Sequence, residues 1–355
     1  MRLLITGGAG FVGSRLALAF RRDFPESEIV VLDNLRRRGA EVNLPVFQRQ
    51  NIQFVHGDIR CEADLMDLPG NFDLFIEASA EPSVHAGTDG SPAYVLQTNL
   101  VGTINCLELA RKRCGGMIFL STSRVYSIAP LREITLDEAA TRFEIASQQS
   151  LPGITPKGIA ENFPVDQPRS LYGATKLASE LLIQEYAASL GLNAVINRCG
   201  VLAGPGQFGK VDQGVFTLWV ANHYFGKPLR YTGFGGEGKQ VRDLLHPEDL
   251  YDLIRLEYEN IQALSGTTFN AGGGREVSIS LRELTALCQE ATGREIPMGS
   301  DLNTAGVDIP LYISDTTKVH QCLGWQPKRS VKEIVGGIAD WLRENEDTLR
   351  PLFAS

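Results

Sequence analysis

The chain has 355 residues, 43% hydrophobic and 21% charged, with a formal net charge of −8. That length suits about two domains with a core that needs no disulfide or metal staple. The acidic balance argues against a broad nucleic-acid surface. No apolar run approaches the roughly 18 residues of a membrane span, and Met1-Arg2 leads straight into Leu3-Leu4-Ile5, which argues against a signal peptide. The six cysteines show no CxxC pair and the five histidines no cluster. Reduced thiols, a cytoplasmic location and no metal site are therefore expected.

In chain order, short apolar runs predict strands over Arg2 to Thr6, Glu28 to Leu32, Ile52 to His56, Leu74 to Glu77 and Met117 to Ser121. Helical spacing predicts helices over Phe11 to Phe24 and Leu96 to Cys114 between them, then Leu171 to Leu190 before a strand over Asn193 to Arg198. Strand and helix alternating this way predict an α/β fold, a doubly wound parallel sheet of Rossmann type. After Arg198 the texture changes. Glycines and prolines multiply, and helical patterns return at Gly214 to Gly226, Pro247 to Asn260, Ser280 to Thr292 and Val331 to Leu349. Residues 1–198 are expected to form the first domain. Residues 199–355 are expected to form a smaller, irregular substrate domain, with some segments returning to the first core.

Gly7, Gly10 and Gly13 form a GxxGxxG directly after the first strand and directly before a helix. Glycine suits a tight turn where backbone must approach a pyrophosphate, and the helix N-terminus offers unpaired N–H groups to the anion. Asp33 ends the second strand, 23 residues beyond Gly10, where a carboxylate can accept the adenosine ribose hydroxyls. The same charge repels the extra phosphate of NADP, while Arg36, Arg37 and Arg38 pull the other way; NAD is the expected cofactor. Asp58 stands where a third-strand acid can reach the adenine amino group or cap a turn.

Tyr172 and Lys176 form a YxxxK at the head of a predicted helix, so both side chains share one face. A tyrosine near pKa 10 is a poor base at neutral pH. A lysine ammonium and a positive nicotinamide favour its phenolate. That phenolate can take the proton of a sugar hydroxyl while hydride leaves the same carbon. Ser121-Thr122-Ser123 closes the fifth strand at the mouth of the crevice, where a hydroxyl can hold the reacting oxygen.

Together TGGAGFVG, Asp33-Asn34, Asn99, the Ser-Thr strand end and YGATK resemble the extended short-chain dehydrogenase/reductase family over nearly the whole chain. The resemblance implies Thr122, Tyr172 and Lys176 as the catalytic set, Thr122 because it lies four residues before Tyr126. It implies NAD contacts from Gly7, Gly10, Phe11, Val12, Gly13, Asp33, Asn34, Asp58, Ile59, Ala78, Asn99, Tyr172 and Lys176, with Asn99 the structural asparagine behind the site. Dehydratase members carry an Asp-Glu pair directly after the strand-end threonine. Here Ser123-Arg124 follow, so elimination of water lacks its acid and base.

Narrower segments, Asp33-Asn34-Leu35, Arg38-Gly39-Ala40, His56-Gly57-Asp58-Ile59-Arg60, Ser170-Leu171-Tyr172-Gly173, Asp212-Gln213-Gly214-Val215 and Gly238 to His246, resemble the CDP-paratose (CDP-tyvelose) 2-epimerase branch. That implies an NAD-dependent epimerase of a nucleotide-diphosphate sugar, oxidising and re-reducing one sugar carbon. A 4-epimerase or a net NAD-dependent sugar dehydrogenase are the alternatives. Thr122, Ser123, Gln213, Gln240 and Arg242 are the expected substrate contacts. Arg242 either forks onto the diphosphate or pairs with Asp243; Gln213 and Gln240 either touch the nucleotide or hold loops. His246 is expected to cap or pack. The resemblance departs at Glu77-Ala78-Ser79-Ala80, where relatives carry His-Leu-Ala-Gly, and at Ala305 to Asp308, where relatives place an arginine against the diphosphate. Relatives pair the two long helices into a homodimer, so a dimer is expected.

Overall fold

The structure, a computed structural model, describes residues 1–88, 90–208 and 214–353. Its centre is a seven-stranded sheet: β1 (Arg2–Thr6), β2 (Glu28–Asp33), β3 (Gln53–His56), β4 (Leu74–Glu77), β5 (Met117–Thr122), β6 (Ala194–Cys199) and β7 (Thr267–Ala271). All pairings are parallel, in the order β7-β6-β5-β4-β1-β2-β3. Strands buried on both faces need continuous apolar runs, as in Leu3-Leu4-Ile5 and Ile29-Val30-Val31-Leu32.

Leu3, Ile5 and Val31 pack on one face under the helices Phe11–Asp23 and Pro247–Glu259. There the Phe20 ring meets Tyr251 edge-on at 4.9 Å. Leu4, Val30 and Phe75 pack on the other face with Cys106, Leu107 and Ile183 of the helices Gly102–Arg113 and Leu171–Leu190. The strand order reverses between β1 and β4, and the carboxyl ends of the strands open a crevice there.

The predicted strands differ from those observed by a residue or so. The helix expected over Leu96 to Cys114 is three pieces: Ala93–Leu96, a π-helical turn Gln97–Val101 and Gly102–Arg113. The wide turn carries Asn99, whose side chain bonds the backbone of Glu81. The run expected over Val331 to Leu349 breaks at Asn345 into Val331–Glu344 and Glu346–Phe353.

Beyond β6, Val201–Leu202, Val241–Leu245, Ser278–Ser280 and Leu311–Tyr312 build a small mixed sheet, and Leu229–Thr232 pairs with Met298–Asp301. Phe216, Trp219, Leu284, Ile334 and Ile338 form a separate core between the helices Val215–Phe225, Leu281–Thr292 and Val331–Glu344. The division near residue 198 is crossed by β7, by Pro247–Glu259 and by the helix Thr317–Leu323, whose Val319 packs in the same core as Leu3 and Ile5. Among the described residues no helix is long and apolar enough to cross a membrane.

Candidate active site

The loop after β1 makes a cradle. Gly7 sits at φ +64°, and a Cβ there would lie 2.7 Å from the Ala78 carbonyl oxygen; one on Gly13 would lie 2.4 Å from that of Gly7. Only glycine allows this approach of loop, helix and β4. The helix Phe11–Asp23 begins at Gly10 with no side-chain cap, so its first N–H groups are left for a ligand. A cleft of about 630 Å³ runs over them, walled by Phe11, Val12, Asp33, Asn34, Asp58, Ile59, Ala78, Thr122, Ser123, Tyr172 and Lys176.

Asp33 is oriented by amides, accepting from Ala9 at 3.1 Å and Leu35 at 2.8 Å. Burial raises its pKa, and those amides work against the rise. Asp58 accepts from Arg60 at 2.6 Å and from the Asn34 amide at 2.9 Å, and its pKa falls to about 2, chiefly through the Arg60 bond. Of the arginines that follow Asp33, Arg36 lies 4.0 Å over the Tyr94 ring and Arg38 reaches the Pro351 carbonyl at 3.5 Å. Asn99 is buried behind the wall rather than on it, bonded to Glu81 and, at 3.3 Å, to Thr175. The glycine cradle, the open helix end and Asp33 fit a dinucleotide with a free ribose diol.

Tyr172 and Lys176 come from the first turns of Leu171–Leu190, which opens at Ser170, whose Oγ accepts from the Gly173 amide at 3.1 Å. Tyr172 is buried and bonds Thr122 at the end of β5. Burial pushes its phenol up to about 12, and the Thr122 bond and the charge of Arg124 pull it back. Lys176 is 2% exposed, its Nζ 4.0 Å over the Phe119 ring and 3.9 Å from Glu77 at the end of β4. Burial lowers the lysine's pKa and raises that of Glu77 to about 7, while each charge favours the other.

A second cavity, about 940 Å³, shares Val84, Arg124, Val201 and Gly214 with the first. Trp219, Gln240, Arg242 and Asp308 line it. Arg242 donates to Asp308 at 2.9 Å and to the Ile309 carbonyl at 2.7 Å. Its partner is thus Asp308 and not Asp243, whose buried carboxylate takes amides of Gly274 and Ser314 instead. Gln240 donates to Thr232 at 3.0 Å and keeps its amide oxygen unpaired among the described residues. Gln213 lies outside the described residues. His246 caps Pro247–Glu259, its Nδ1 accepting from Glu248 at 3.1 Å.

Sequence reasoning passed over Arg124 and Asp308 as site residues and met Glu77 only as a departure from relatives. Arg124 stands two residues past Thr122 on a helical turn, a position that could have marked it. Its Nη1 donates to the Val307 carbonyl at 3.2 Å. Arg132 donates to those of Ala305 and Asp308 at 2.6 and 2.8 Å. Three arginines thus brace the loop in which relatives place a diphosphate arginine.

The sequence model of the NAD dependent epimerase/dehydratase family matches residues 3–272. The chain is 32% identical to the CDP-paratose 2-epimerase of Salmonella typhi, covering 96% of this chain and 99% of that one. It is 30% identical to a dTDP-glucose 4,6-dehydratase of Streptomyces niveus, covering 99% and 96%. Among solved structures it resembles Pal from Bacillus thuringiensis, with a TM-score of 0.78 and 26% identity over 97% of this chain and 99% of that one. It also resembles the dTDP-glucose 4,6-dehydratase DesIV from Streptomyces venezuelae, solved with NAD bound, at 0.76 and 28% over 99% and 100%. The chain belongs to the NAD-dependent epimerase/dehydratase family, and NAD is its cofactor.

Proposed function

We propose that the protein is a nucleotide-sugar epimerase of the CDP-paratose 2-epimerase type, inverting one sugar carbon with no net redox change. The observation that carries this reading is the set Thr122, Tyr172 and Lys176 beside Ser123-Arg124. A base and a hydroxyl face the cleft, with a cation and no carboxylate next to Thr122, where elimination of water would need an acid and a base.

NAD, held by the glycine loop and Asp33, would supply the hydride acceptor and donor beside the sugar carbon. Tyr172 takes the hydroxyl proton of that carbon and gives it back. Lys176 favours the phenolate through its charge, and the N-terminal position of Tyr172 in its helix adds a partial positive charge. Thr122 and Ser123 hold the reacting oxygen. Arg242, whose fork of donors suits phosphate oxygens, holds the diphosphate together with Gln240 and Gln213 on the nucleotide side. The flat keto-sugar must turn over between the two transfers, and the cleft at Tyr172 meets the 940 Å³ cavity at Arg124 and Val201, which offers the room.

The same reading makes residues 1–198 chiefly the NAD domain and 199–355 chiefly the substrate domain. It also makes the protein a homodimer, because Val101, Ile104 and Leu181 are exposed apolar residues on the two long helices that relatives pair. All six cysteines are free, which suits a reducing cytoplasm.

The test is a panel of CDP-, UDP-, dTDP- and GDP-sugars offered to the NAD-loaded protein. A product of unchanged mass and altered stereochemistry, with no NADH accumulating, is expected. Stoichiometric NADH would make it a dehydrogenase, and loss of 18 mass units a dehydratase.

A further inference from the structure

We infer that Glu77 is a positioning residue that acts through Lys176: it is the buried counter-ion of the ammonium and limits how much of that charge reaches Tyr172. The inference rests on Tyr172 and Lys176 being the base pair of the site.

Glu77 is fully buried at the end of β4, its carboxylate 3.9 Å from Lys176 Nζ, and the Ser79 amide is the other group that favours its charge. Burying a carboxylate with so little hydrogen bonding costs free energy that an apolar residue would not. What it faces is the active site. Cys106 of Gly102–Arg113, Cys199 of β6 and Glu180 of the lysine's own helix are the other titratable groups that act on Lys176, the Ser79 amide acts on Glu77, and Tyr172 feels both Glu77 and Arg124. Glu180 is already held by Arg198 at 2.8 Å. Glu77 is therefore the carboxylate left to answer Lys176, whose other contact is the face of Phe119.

The electrostatic sign is fixed. A negative charge raises the pKa of every neighbour, so Glu77 favours the ammonium of Lys176 and opposes the phenolate of Tyr172. The pair is a governor on the base. It gives up part of the activation that a bare ammonium would supply.

The experiment titrates tyrosinate absorbance in the NAD-loaded full-length protein, in wild type and in Glu77→Gln, each corrected by the same protein carrying Tyr172→Phe. Removing the charge should lower the Tyr172 midpoint by about one pH unit, a tenfold change in the phenolate equilibrium. Glu77→His, the residue type relatives carry, should lower it as well and serves if the glutamine variant does not fold or hold NAD. An unchanged or raised midpoint in a folded, NAD-loaded variant overturns the inference. The titration uses no sugar, so it stays readable if the sugar assignment fails. If Tyr172→Phe removes no tyrosinate signal, the base assignment itself has failed.

Discussion

The cofactor cleft and the cavity proposed for the substrate meet at Arg124, Val84, Val201 and Gly214, yet they are built in different ways. The cleft is made by strand ends of a single sheet. Its glycines, its acid and its Tyr172–Lys176 pair each arise from a short stretch in which the spacing itself does the positioning. The substrate cavity is made by pieces far apart in the chain. Arg124 meets Val307 across 183 residues and Arg242 meets Asp308 across 66. The cleft can keep its chemistry while the cavity changes what it accepts. Replacements on the cleft side should therefore alter turnover or cofactor choice, and replacements in the cavity should alter recognition.

Tyr172→Phe should give the largest effect. Turnover should fall by roughly two to four decades, the usual scale for a lost general base, with bound NAD retained because the ring still packs. Lys176→Met should approach that loss and also weaken NAD, whereas Thr122→Val should cost less because it removes one hydrogen bond and leaves the base in place. Steady-state rates with NAD content measured by mass spectrometry check the order.

Arg242→Gln tests the other region. It should weaken binding of free CDP or UDP by about ten- to a hundredfold in calorimetry, the scale for a charge-assisted contact, while NAD content stays at the wild-type level. Lost NAD in that variant would dissolve the division between cleft and cavity.

Asp33 governs a smaller term. The apoprotein should bind NAD at least tenfold tighter than NADP, about 1.4 kcal/mol, and Asp33→Ser should narrow that gap. Arg36 and Arg38 are engaged with Tyr94 and Pro351, so they are not expected to reverse the preference.

Asp58 should show the smallest effect. Its pKa of about 2 lies below the ordinary 3.8, so its stabilising contribution is complete above pH 3.8 and lost as pH falls through 2. Asp58→Asn should lower the melting temperature by about 1–3 °C at pH 7, and the difference from wild type should shrink toward pH 2.

The same contrast governs what could be read from the residues alone. Gly7, Asp33, Tyr172 and Lys176 fall at the expected ends of their elements because strand ends and a helical i, i+4 pair are local geometry. The partner of Arg242 was open between diphosphate and Asp243, and the structure supplies Asp308, on a loop whose approach no local pattern encodes. Glu77 was visible only as a mismatch to relatives. A lone acid at a strand end carries no sign of which helix will pass over it. The second domain's return to the sheet is legible only in part, since β7 has the composition of any buried strand.

In the proposed reaction one sugar carbon is oxidised and then reduced again without exchange. The direct test takes the sugar nucleotide that turns over, deuterated at the carbon that inverts, and follows the product by NMR and mass spectrometry in ordinary water. Deuterium should remain on that carbon, at unchanged mass, after inversion. Replacement of the deuterium by solvent hydrogen would contradict it, because it would mean that the carbon loses a proton rather than a hydride.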